Sequence, residues 1–222
     1  MRVLVLKPHG LSLSGHVGDA MIERSAELID HVLSEDGTQP SLDGFDAMVV
    51  MGAPWSVYGT EVAPWIEGAL ATIRDAVARD VPMLGVCFGA QAFAQAMGGR
   101  ARPADDQEVG WREVHTEDPT LIPAGPWFMW HGDTFDLPPG ARPVASTPVG
   151  VQAFTMGPHI CVQFHPEATP AMVAGWLDHS DADFRRAGID PADVLEETRR
   201  REPEAKVRAA GLVDRFFGGP NG

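Results

Sequence analysis

Three short apolar runs, each halted by a chain-breaking or reactive residue, govern what this chain can fold into. Residues 3–6 end at Pro8 and Gly10, residues 47–51 end at Gly52, and residues 81–86 end at Cys87. Runs of this length that are apolar at nearly every position suit strands buried on both faces. The spacing across residues 65–78 predicts a helix between the second and third runs, and strand, helix, strand implies a parallel sheet. Residues 19–33 predict another covering helix, since Ala20, Ile22, Ala26, Ile29 and Leu33 recur at helical intervals and Gly18 and Asp19 precede them as a cap.

Past Cys87, residues 88–97 are rich in alanine and close on Gly98 and Gly99, which predicts a helix with a glycine C-cap. The chain then changes character. Short apolar stretches around residues 109–114, 127–130, 142–146, 149–154 and 159–164 are separated by Pro, Gly and Asp turns, the pattern of successive strands. From Thr169 the composition is helical again, with Asp190 and Pro191 as a helix start and an amphipathic stretch to Phe217. The expected architecture is one α/β domain over residues 1–222: an open, mostly parallel sheet flanked by helices, with a run of additional strands in its second half.

Composition narrows the function. Hydrophobic residues are 44% and charged residues 22% of the chain, ordinary globular proportions. Thirty-one acidic against 17 basic residues give a formal charge of −14, a surface that repels nucleic-acid backbones and anionic lipid headgroups, so neither is an expected partner. Two cysteines without regular spacing form no disulfide framework, and no apolar run reaches the ~18 residues of a membrane span. A cytoplasmic setting is expected.

The segment Gly85-Val86-Cys87-Phe88-Gly89-Ala90-Gln91 sets a nucleophilic residue on a tight strand-to-helix turn. Such an elbow exposes the side chain at the carboxyl end of the sheet, where the helix N-terminus favours a thiolate. Taken alone, Cys87 could also be a small buried hydrophobe whose flanking glycines permit close packing, the lesser of the two readings. Cys161, inside an apolar strand with no glycine nearby, reads as structural. Val162-Gln163-Phe164-His165-Pro166-Glu167 puts a histidine after a strand, just before a turn-forcing proline, with a carboxylate two residues on. A general base needs an orienting third group, and Glu167 suits that role. Both segments carry catalytic residue types to the strand ends where open parallel sheets bind ligands.

These residues resemble the class I glutamine amidotransferases, especially free-standing proteins similar to the glutaminase domain of GMP synthetase, over nearly the whole chain. The family's Gly-x-Cys-x-Gly-x-Gln motif stands at Gly85, Cys87, Gly89 and Gln91, and its His-Pro-Glu motif at His165, Pro166 and Glu167. Residues 51–59 resemble its glycine-rich oxyanion loop, with Ala53 in place of the second glycine, a substitution that narrows the dihedral angles open to the loop. The Trp130-His131-Gly132-Asp133 segment resembles the loop beside bound glutamine, and Glu108-Val109-Gly110-Trp111 a strand entry of the same subgroup.

The resemblance implies a flavodoxin-like fold and a Cys87–His165–Glu167 triad. It implies oxyanion donors at the N–H groups of Ala53 and Phe88, and a substrate site at Gly52, Gln91, His131, Gly132 and Asp133. The implied reaction is hydrolysis of glutamine through a Cys87 γ-glutamyl thioester, with ammonia passed to a separate synthetase, since no phosphate-cradling Gly-x-x-x-x-Gly-Lys loop stands in these 222 residues. No cofactor is expected, and His131, His165 and Asp133 lack the paired spacing of a metal site. Two other readings stand beside it: a hydrolase of a different γ-glutamyl amide, and a non-catalytic regulatory subunit of the same fold. For His131 and Asp133 a simple hydrogen-bonded turn is an equal alternative to substrate contact.

Overall fold

A computed structural model describes residues 1–36, 39–180 and 182–218. Among them the strands form one nine-stranded sheet in the order β2-β1-β3-β4-β9-β8-β7-β5-β6. The first half of the chain supplies β1 (Arg2–Lys7), β2 (Glu27–Val32), β3 (Ala47–Val50) and β4 (Met83–Val86). These pair in parallel with one another, and β9 (His159–Val162) joins β4 in the same sense. Beyond β9 every pairing is antiparallel: β8 (Gly150–Met156), β7 (Arg142–Thr147), β5 (Arg100–Thr116) and β6 (Gly125–Asp136). The sheet is therefore mixed, and β9 is its seam.

The fully apolar strands are explained by helices on both faces. Along β1, Val3 and Val5 enter one core with Val17 and Met21 of α1 (Gly15–Glu23) and with Val213 and Phe216 of α7 (Pro191–Gly218). Leu4 and Leu6 enter the opposite core, with Leu70 and Ile73 of α3 (Ile66–Ala78) and Phe93 of α4 (Phe88–Ala96). The period-two alternation of a strand makes this division automatic, and each buried Val or Leu contributes about 1.5–3 kcal/mol. A third cluster lies over β5 and β6, where Trp111 and Phe128 meet Val173 and Leu177 of α5 (Pro170–Ser180) and Phe184 of α6 (Ala182–Arg186). The short α2 (Leu33–Asp36) follows β2.

The helix expected over residues 19–33 is corrected by the structure. The helix there, α1, begins at Gly15, so Asp19 lies inside it rather than at a cap, and it stops at Glu23. Ser25 adopts a left-handed φ of 63°, the N–H groups of Arg24 and Ser25 close back on Met21 and Ile22, and the chain re-emerges as edge strand β2. An edge strand covered by little has no strict alternation to betray it, and its half-buried Ile29 continues the helical spacing by coincidence. Ile22, read as a core position, is 59% exposed. The start of α7 follows expectation: Asp190 Oδ1 accepts the Ala192 N–H at 2.9 Å and Pro191 occupies the first turn. No helix of the described residues is long and apolar enough to cross a membrane.

Candidate active site

Cys87 stands between β4 and α4 with φ 50° and ψ −105°, a backbone conformation that non-glycine residues rarely adopt. The turn is held by Cys87 N–H donating to Val162 O at 2.8 Å, and its carbonyl accepts from Ala90 and Gln91 at 3.0 and 3.1 Å. Close packing explains the flanking glycines. A Cβ added to Gly85 would lie 2.9 Å from the Gly89 backbone, and one added to Gly89 would lie 2.1 Å from Val50 O. The helix can reach the strand ends only because both positions lack a side chain.

His165 follows β9, and its main-chain N–H donates to Phe128 O of β6 at 2.8 Å. The imidazole Nδ1 is 2.8 Å from Glu167 Oε1, while Nε2 is buried and hydrogen-bonds to nothing in this resting geometry. Burial disfavours the protonated ring, but Glu167 and Cys87 outweigh it, so His165 holds its proton well above the ordinary histidine range. The ring is boxed by Trp176, with centroids 5.2 Å apart, and by Gly52, where an added Cβ would fall 3.1 Å from His165 Cε1 and 3.5 Å from Cys87 Cβ. Cys87, His165, Glu167 and Gly52 thus converge. Cys161 is fully buried in β9, where desolvation pushes its thiol well above the usual value.

Loop residues 52–59 lie over this group. Neither Ala53 nor Gly52 takes a positive φ, so alanine at position 53 imposes no strain. The N–H groups of Ala53 and Phe88 find no backbone acceptor among the described residues, and Phe88, as the first residue of α4, has no intrahelical partner for its N–H. Trp55 ties the loop down, packing edge-on against His9 at 5.5 Å and against Trp65 at 6.3 Å, with Phe88 next at 5.9 Å. At the loop's other end the exposed Tyr58 hydroxyl donates to Asp133 Oδ1 at 2.6 Å.

Gln91 is buried, and its amide nitrogen faces Gln163 Oε1 at 3.1 Å and Asp133 O at 3.4 Å. Gln163, wholly buried, in turn offers its amide N–H to Cys87 Sγ at 3.5 Å. His131 turns away from the thiol. Its Nδ1 is 3.0 Å from Asp133 O, and its Nε2 is 3.3 Å from Glu108 Oε2, the residue opposite it on β5. Glu108 also accepts from Gln152 at 2.6 Å and Thr147 at 3.1 Å. Gly132 is exposed where β5 bulges between Pro103 and Glu108.

Sequence reasoning gave no site role to Gln163, Glu108, Tyr58 or Ser12. A glutamine inside an apolar run was a usable signal for the first, because a fully buried amide must have partners. The bonds of Tyr58 and Ser12 join segments far apart in the chain and left no local trace. Among the described residues, no group of three or more His, Cys, Asp or Glu side chains is arranged to hold a metal ion.

Residues 6–173 match the family "Glutamine amidotransferase class-I". Two similar curated proteins are named GMP synthase [glutamine-hydrolyzing]. That of Nitrosomonas eutropha is 32% identical over 160 residues, 64% of this chain and 30% of the relative, and that of Parafrankia sp. is 36% identical over 130 residues, 54% and 23% respectively. The chain thus spans under a third of the length of these relatives. A glutamine amidotransferase structure from Thermotoga maritima superposes with a TM-score of 0.88 at 25% identity, covering 97% of each chain. One from Methylobacillus flagellatus gives 0.89 at 26% identity, covering 98% of this chain and 94% of that one. The family match spans most of the chain and the fold agrees throughout: this protein belongs to the class I glutamine amidotransferases.

Proposed function

We propose that the protein hydrolyses the side-chain amide of glutamine through a γ-glutamyl thioester on Cys87 and delivers the ammonia to a separate acceptor enzyme. One observation carries this reading: a buried histidine is held by Glu167 through Nδ1 while its Nε2 has no hydrogen-bond partner, beside a thiol on a strained elbow. His165, which already holds its proton, pairs with Cys87 as thiolate, and Sγ adds to the amide carbon. The oxyanion is received by the free N–H groups of Ala53 and Phe88, and loss of one such donor costs about 10²–10³ in rate. His165 returns the proton to the departing nitrogen, ammonia leaves, and the thioester remains. Water, deprotonated by the same imidazole, then adds to the thioester, and glutamate departs as the thiol is restored.

Gly52, Gln91 and Asp133 would line the glutamine site, with exposed Gly132 at its rim and His131 acting through the Asp133 main chain. With its amide nitrogen turned toward protein acceptors, Gln91 offers Oε1 to a substrate ammonium. The acceptor assignment draws on the GMP synthase name of the relatives and on the absence of a phosphate loop in these 222 residues.

The test is glutamate release from L-glutamine by the parent and by Cys87→Ala. The parent should turn over and the variant should not; equal rates would end the proposal. A strong preference for a γ-glutamyl alkylamide over glutamine would move the substrate to the hydrolase alternative.

A further inference from the structure

The turn between β1 and α1 has no assigned part in the chemistry, yet it makes a polar contact with the loop over the thiol. Ser12 Oγ donates to the carbonyl oxygen of Gly52 at 2.8 Å, a bond between residues 40 positions apart. Ser12 itself is fixed by its main-chain N–H donating to His9 O at 2.9 Å, and His9 packs edge-on against Trp55 of the loop. The same turn continues into α1, whose His16 N–H donates to Glu167 O at 3.1 Å. One segment therefore touches both the loop over Cys87 and the main chain of the glutamate that holds His165.

Peptide geometry gives the Ser12 bond its meaning. A planar trans peptide directs its C=O and N–H in opposite senses, and no peptide among the described residues is cis. With the Gly52 oxygen drawn toward Ser12, the N–H of Ala53 points away from the β1–α1 turn, and no backbone acceptor meets it there. A Cβ added to Gly52 would lie 3.1 Å from His165 Cε1 and 3.5 Å from Cys87 Cβ, so this peptide borders both side chains. Rotation of this one peptide about its flanking bonds would point the carbonyl oxygen where the N–H had been, and an acceptor there repels an oxyanion instead of holding it. Other ties on the loop, Trp55 and Tyr58, fix side chains and leave that rotation free.

We propose that Ser12 is a positioning residue for the oxyanion hole: its hydroxyl locks the Gly52–Ala53 peptide in the orientation that offers Ala53 N–H to the reacting carbonyl. The proposal rests on the thioester reading of Cys87. It predicts an effect on kcat without one on binding or on the thiol.

The experiment compares parent, Ser12→Ala and Ser12→Thr in glutamine hydrolysis, alongside alkylation of Cys87 by iodoacetamide, a displacement at carbon that forms no oxyanion. Ser12→Ala should lose about tenfold in kcat, less than deletion of a donor outright, with KM within about twofold of the parent. Its alkylation rate and melting temperature should match the parent, and Ser12→Thr, which keeps the hydroxyl, should restore at least half of kcat. Parental kcat in Ser12→Ala would overturn the proposal. So would a parallel fall in kcat and alkylation, which would assign the hydroxyl to support of the thiol, or a Ser12→Thr protein as slow as Ser12→Ala. A parent enzyme that alkylates at Cys87 but never hydrolyses glutamine would overturn the functional reading itself, and this proposal with it.

Discussion

Two buried histidine–glutamate pairs stand in different parts of the sheet, one just past the seam strand β9 and one at the edge strand β6, and they differ in which nitrogen the carboxylate meets. In the first, Glu167 takes Nδ1 of His165 at 2.8 Å and leaves Nε2 open beside Cys87. In the second, the Asp133 carbonyl takes Nδ1 of His131 at 3.0 Å, and Nε2, though it makes no hydrogen bond either, faces the Glu108 carboxylate at 3.3 Å rather than a thiol. Residue types, burial and proximity are nearly the same in both. What differs is the backbone: His165 follows the last parallel strand at the end of the sheet where the elbow emerges, whereas His131 sits within the edge strand β6, directly opposite Glu108 of β5. Under the proposed function the base is the histidine whose unpaired nitrogen lies beside Cys87, not the one whose unpaired nitrogen faces a carboxylate.

Substitutions on the first pair carry the largest expected effect. His165→Asn, like Cys87→Ala, should lower kcat by about 10⁴–10⁶-fold, and Glu167→Gln by about 10³–10⁴-fold, because the members of such a unit act together. Measured in the same assay, Glu108→Gln should cost less than about tenfold; a loss equal to that of Glu167→Gln would erase the distinction drawn here.

The second pair should show itself in stability. Glu108→Leu removes the acceptor shared by Gln152 and Thr147 and the carboxylate beside His131, and leaving a buried polar group without its partner costs about 1–3 kcal/mol. Urea unfolding checks this, with an unchanged midpoint as the contrary result.

The smallest effect comes from a third buried histidine that has no carboxylate in contact. His159 packs on Phe93, and desolvation lowers its pKa to about 4 against a weak pull from Asp80. In the unfolded chain it would titrate near 6.5. Stability is therefore complete above that value and declines as pH falls toward 4, because the unfolded chain binds a proton that the folded one refuses, by about 1 kcal/mol per unit of pH. His159→Phe should flatten that part of the stability profile; an identical slope would point to other groups.

Much of this was legible in the sequence, for identifiable reasons. The apolar strands and the capped start of α7 announce themselves because burial on both faces and a capping aspartate are local properties. The helix drawn over residues 19–33 was not, because Ser25 reverses the chain without glycine or proline and β2 is only half covered. At the site, both family motifs could be read as strings. The unlike roles of His131 and His165 could not, since each depends on which strand lies alongside. Ser12 was equally hidden, because a hydroxyl in a turn gives no sign of the carbonyl it meets 40 residues away.

The backbone at Cys87 bears on how such a protein can change over generations. A residue with a Cβ at φ 50° and ψ −105° costs on the order of 1–3 kcal/mol, a strain that glycine alone relieves. Cys87→Gly should therefore melt a few degrees higher than the parent while Cys87→Ala does not, even though both lack the thiol. Selection for folding alone would drift toward glycine at this turn. A side chain kept there against that drift marks a position retained for chemistry at the expense of robustness, the trade-off between stability and activity concentrated in one residue.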